Sequence, residues 1–131
     1  MRPLIGMLAL VVVLASSPVS ALQVDIAPSL TNAGGNVQGT AVSVKGYTTV
    51  TFHVCCEFNA VVTFKASIDG TNFEPLGCVP VENQSALVAT TTLRGLWRCN
   101  VIGLVQVRAD ITKYVQGVIN VNVGRTAAGV S

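Results

Sequence analysis

Residues 61–76, VVTFKASIDGTNFEPL, leave a chain few ways to fold. Val62, Phe64, Ala66 and Ile68 alternate with Thr63, Lys65 and Ser67, the two-residue period of a strand with one face toward a core and the other toward water. Asp69, Gly70, Thr71 and Asn72 then interrupt the run as a polar turn. An Asp-Gly pair between alternating segments is a strong hairpin signal, because the turn needs positive φ and glycine supplies it without steric cost. The second arm is expected from residue 73 to about residue 79, with Phe73 in the core.

The same alternation recurs along the chain. A brief strand is predicted over 41–45, ended by Gly46. Val50, Phe52, Val54 and Cys56 alternate with Thr49, Thr51, His53 and Cys55, which predicts a β-branched, aromatic strand with one apolar face. A Thr-rich stretch over 86–92 is β-prone. Trp97, Cys99 and Val101 share one face, so the Trp belongs to the core. Val105, Val107, Ala109 and Ile111 repeat the pattern, with Arg108 and Asp110 facing out, as do Ile119, Val121 and Val123. Outside the first 21 residues no segment combines three-to-four apolar spacing with helix caps. About seven or eight short strands parted by turns predict an all-β chain: a single antiparallel β-sandwich or jelly-roll-like domain.

That domain is expected over 41–124. Before it, residues 22–40 gather Pro28, Gly34 and Gly35 and read as a flexible N-terminal arm, with a short edge strand at 23–26 as the alternative. Residues 125–131 are small and polar and are expected to fray. Residues 1–21 follow the grammar of a secretory signal peptide: Arg2 near the start, an apolar run over 4–15, then Val19 and Ala21 before the expected cut. The run is about a dozen residues against the roughly 20 that a membrane-spanning helix needs, so a retained anchor is the weaker reading.

Half of the chain is hydrophobic and only 11% is charged, which excludes the disordered class. The formal net charge is +2 with no Lys/Arg cluster, which argues against nucleic-acid binding. Cys55, Cys56, Cys78 and Cys99 are even in number, and in an exported chain they predict two disulfides. Adjacent residues on a strand point to opposite faces and an adjacent-residue bridge strains the backbone, so the inward register favours Cys56 to Cys99, slightly ahead of Cys78 to Cys99.

Chemistry-bearing patterns are sparse. His53, Cys55 and Cys56 do not all share a face and lack the paired spacing of a structural zinc site, so no metal site is expected. The only His has no Gly-x-Ser-x-Gly elbow to serve, no spacing brings two acids together, and no phosphate loop is present. The expectation is a non-enzyme without a cofactor. Asn83-Gln84-Ser85 fits a glycosylation acceptor and reads more simply as a polar loop.

Together the hairpin Ser67, Asp69, Gly70, Thr71 and Phe73, the run Gly95, Trp97, Arg98, Asn100, Val101, Gly103 and Leu104, the pair Val107 and Arg108, and Gly117 form a pattern. Over roughly residues 48–123 it resembles a β-sandwich module of tailed-bacteriophage virion structural proteins and related bacterial proteins. The resemblance implies a structural or interaction protein at a virion surface, in decoration or tail parts, assembled with other proteins or with copies of itself. The rival reading is a secreted binding module for glycan or cell-surface partners, for which Tyr47 and Tyr114 are the candidate surface contacts. Location is then expected to be secreted or virion, with the membrane met only through the signal peptide.

Overall fold

A computed structural model describes residues 24–127, and among them the chain forms strands and no helix. In chain order these are β1 (Val24–Ala33), β2 (Val37–Gln38), β3 (Val42–Ser43), β4 (Thr49–Cys55), β5 (Phe58–Ser67) and β6 (Glu74–Pro75). There follow β7 (Val79–Pro80), β8 (Thr90–Thr91), β9 (Gly95–Asn100), β10 (Gln106–Gly117) and β11 (Ile119–Thr126). One sheet runs β1-β11-β4-β9-β7; the other runs β2-β10-β5-β6, with β3 also on β10 and β8 also on β5. Every named pairing is antiparallel. The result is the β-sandwich that the alternation predicts.

The core lies between the sheets. Val50, Phe52 and Val54 of β4 and Ile119, Val121 and Val123 of β11 face Val62 and Phe64 of β5 and Val107 and Ile111 of β10. Phe52 stacks on Phe64 with centroids 4.6 Å apart, and Trp97 lies against Phe64 at 5.7 Å. Each large side chain so buried contributes roughly 1.5–3 kcal/mol, and the strict alternation places them all on one face.

Several expectations need correction. The segment expected as a flexible arm is a strand from its first described residue, paired with β11 from Val24 opposite Thr126 to Ala33 opposite Ile119. Pro28 reads as a break, yet an edge strand has no partner on its far side and tolerates a residue without an N–H. Ser29 fastens it: its hydroxyl donates to the carbonyl of Thr40 and accepts from the N–H of Ala109 in the other sheet. Gly39 fills the remaining gap, since a Cβ there would lie 2.1 Å from the carbonyl oxygen of Ala109. At the other terminus β11 continues to Thr126, past the point where fraying was expected.

The second correction concerns the hairpin. Its second arm is short: Glu74 and Pro75 pair with Ala66 and Lys65, and Val79–Pro80 then joins the other sheet beside β9. Ile68 lies past the end of β5 and is 72% exposed. Third, Phe73 is not in the core; it lies under the guanidinium of Arg108, 4.1 Å from the ring centroid. Fourth, Asp110 does sit on the outer face of its sheet but is buried there, beside Arg108 Nε at 2.9 Å and Lys65 Nζ at 3.5 Å, and it accepts from the N–H of Gly39. The leader expected over 1–21 lies outside the described residues.

Candidate functional site

The sandwich has two unlike ends. At one, β5 passes to β6 through the Asp69 turn, and the loop from Asn100 to Gln106 lies beside it. At the other, the chain crosses between sheets at two points, from β4 to β5 through Cys56 and Glu57, and from β10 to β11 through Val118 alone.

At the hairpin end the polar groups satisfy one another. Asp69 Oδ1 accepts from the N–H groups of Thr71 and Asn72, both at 2.8 Å, and Asp69 Oδ2 accepts from the Asn72 amide at 2.9 Å. Ser67 donates to Asp69 and accepts from the N–H of Gly70. These donors, the Asn72 and Thr71 N–H groups foremost, hold the Asp69 carboxyl well below the usual carboxylate range. Gly70 takes φ 79°. The acid is held by its own turn, as the sequence implies.

Tyr47 and Tyr114 do not come together. Tyr47 donates to Asp25 and lies under Arg125, near the Thr126 end of β11; that hydrogen bond, more than its burial, raises the tyrosine pKa. Tyr114 donates to the carbonyl of Gly117 at 2.6 Å, at the Ile119 end of the sandwich. Six further steps along β11 separate the two neighbourhoods, about 20 Å of strand, so they form no shared aromatic platform.

The other end carries the less ordinary chemistry. Cys55 and Cys56 are bonded to each other, and Cys78 is bonded to Cys99. This corrects the expected Cys56 to Cys99 bridge. Cys56 is in apolar register by sequence, but its φ of 94° turns the chain out of β4 before its side chain can enter the core. The adjacent-residue bridge therefore sits in the crossing between sheets, where a left-handed residue is needed, rather than within a strand, where it would not fit. Cys78 and Cys99 are both sealed in the core, at 0% and 2% exposure. Cys55 and Cys56 are only half-buried.

The two crossings brace each other. The N–H of Val118 donates to the carbonyl of Glu57 at 3.3 Å. Gly117, at φ 102°, packs so closely that a Cβ would lie 2.3 Å from that same carbonyl and 2.5 Å from Phe58 Cα. Asn120 of β11, opposite Cys55, donates its amide to Cys56 Sγ at 3.6 Å. Beside the sulfurs lies an open groove of about 610 Å³, walled by His53, Arg94 and Leu96. Among the described residues no three His, Cys, Asp or Glu side chains gather as a metal cage.

The sequence missed Asn120, Arg94 and Leu96 because nothing local marks them; only the register of β11 and β9 on β4 brings them to the disulfide. A usable signal was the Cys-Cys-Glu sequence between two alternating segments whose apolar faces must meet across a core.

No protein-family model and no curated protein matches the sequence. Two solved structures are similar in fold. The SPBc2 prophage-derived protein YomS superposes with a TM-score of 0.76 over 86% of this chain and all of its own, at 14% identity. The PBSX exported protein XepA superposes with a TM-score of 0.75 over 84% of this chain, at 18% identity. This chain matches 40% of the length of XepA. At such identities the likeness establishes a shared sandwich fold.

Proposed function

We propose that this chain is a non-enzymatic structural module of a phage-derived assembly, a decoration or tail component that works by contact with other protein surfaces outside the cytoplasm. The observation that carries this reading is the fold match to a prophage-derived protein over 86% of this chain and all of that one, joined by a second match to the PBSX exported protein. Export agrees with the leader expected over 1–21 and with paired cysteines, which persist in oxidising surroundings. The polar residues support the same reading: Asp69 serves its turn, Asp110 sits in an ion cluster and Asp25 anchors Tyr47. Leu87, Leu93, Leu96, Ile102 and Val115 are exposed apolar side chains available to assembly contacts.

The test is to express the tagged full chain in a phage-producing host and follow it through export and particle sedimentation. The expected result is a mature chain beginning at Leu22 that sediments with particles or as an oligomer. A strict monomer absent from particles would overturn the proposal.

A further inference from the structure

Two bonds of one chemical type are placed in this molecule with opposite physical consequences. Cys78–Cys99 spans 21 positions and restricts the unfolded chain; Cys55–Cys56 spans one and closes no loop, so it removes almost no chain entropy. Its presence at a half-buried crossing therefore asks for another explanation. Access supplies one, because exchange requires a thiolate to reach a sulfur atom. Both sulfurs of the adjacent pair belong to half-buried residues bordering an open groove, whereas those of the other bridge are sealed.

We propose that Cys55–Cys56 is a thiol-exchange site that accepts dithiol reductants, and that it opens and closes while Cys78–Cys99 keeps the sandwich intact. The neighbours give the reaction a direction. Asn120 donates a hydrogen bond to Cys56 Sγ, and Arg94 lines the same groove. The Asn120 hydrogen bond favours negative charge on Cys56 Sγ, Arg94 adds positive charge to the groove that both cysteines line, and the sulfur that better carries charge is the better leaving group. A thiolate of the reductant attacks Cys55 Sγ. The Cys55–Cys56 bond breaks, its electron pair leaves on Cys56, and that thiolate takes a proton from water. The second thiol of the reductant then attacks its own sulfur in the mixed disulfide and expels Cys55, which is protonated in turn. The dithiol ends as its disulfide, and the protein gains two electrons and two protons. With the ring open, the Cys56 backbone, held at φ 94°, is free to move and to reshape the crossing beside Leu96.

The experiment uses the full oxidised chain under native conditions, reduced with dithiothreitol for graded times, quenched with iodoacetamide and cut with trypsin. Cleavage after Lys45, Lys65, Arg94 and Arg98 puts Cys55 and Cys56 on one peptide and Cys78 and Cys99 on two others. Labelling of Cys55 and Cys56 is expected at least about 100-fold ahead of Cys78 and Cys99, since the sealed bridge must wait for an opening of the core. Equal rates, or a Cys55–Cys56 bond that resists reduction until the chain unfolds, would overturn the proposal. Asn120→Asp keeps the acceptor used by the N–H of Asn32 but replaces the donor to Cys56 with an anion. It should slow opening by about tenfold. An unchanged rate would refute the assigned direction, as would glutathione adducts found on Cys56 rather than Cys55.

Discussion

Cys78–Cys99 and Cys55–Cys56 divide between them two tasks that a disulfide can perform. The first lies in the core, joins β9 to the segment before β7, and reports on stability. The second lies at a turn, joins neighbours, and reports on its surroundings. Loop length and burial separate them, so the presence of a disulfide by itself says little about what the bond is for.

The largest expected effect comes from removing the long-range bridge. Cys78→Ser with Cys99→Ser should cost about 3 kcal/mol by the loop-entropy estimate, and two polar hydroxyls in a sealed site should add to the loss. Urea unfolding monitored by Trp97 fluorescence measures it, and a loss below that of the adjacent pair would reverse the comparison. Next in size, Gly117→Ala should cost about 2 kcal/mol or more, because its Cβ would strike the backbone of Glu57 and Phe58. The same urea series detects it. Cys55→Ser with Cys56→Ser should cost less than about 1 kcal/mol, since no loop is released. A loss matching that of the core pair would show that the crossing itself holds the sheets together.

The hairpin end supplies the smallest effect, and it depends on pH. Asp69 has a lowered pKa in the fold, so its contribution is present above the unfolded carboxyl value, near about 4, and fades as pH falls below it. Asp69→Asn should therefore be less stable than the parent at pH 7, with the difference shrinking toward pH 2. Paired urea midpoints at the two pH values check this. A constant difference would mean that the turn depends on shape rather than charge.

Much of the sandwich was legible in the sequence because alternation is local. Val62, Phe64, Ile119 and Val121 announce which way they face without knowing their partners. Asp69-Gly70 was legible for the same reason, its donors lying within three residues. β1 was not, because its signal is split between Pro28, which reads as a break, and Ser29, whose partners Thr40 and Ala109 lie far along the chain. Nor was the candidate site, which exists only where β4, β9 and β11 align. Cys56 shows the failure most plainly: counting by twos carries it into the core, whereas one left-handed residue takes it out.

The pairing of Val24 with Thr126 has a further consequence for display. Chain continuing before the first strand or after the last departs from the same pole of the sandwich, the pole shared with Tyr47. The sulfur ring occupies the opposite pole, about 20 Å away by strand length. Any tether, on either side of this domain, would thus hold it like a stalk and present the Cys55–Cys56 tip outward.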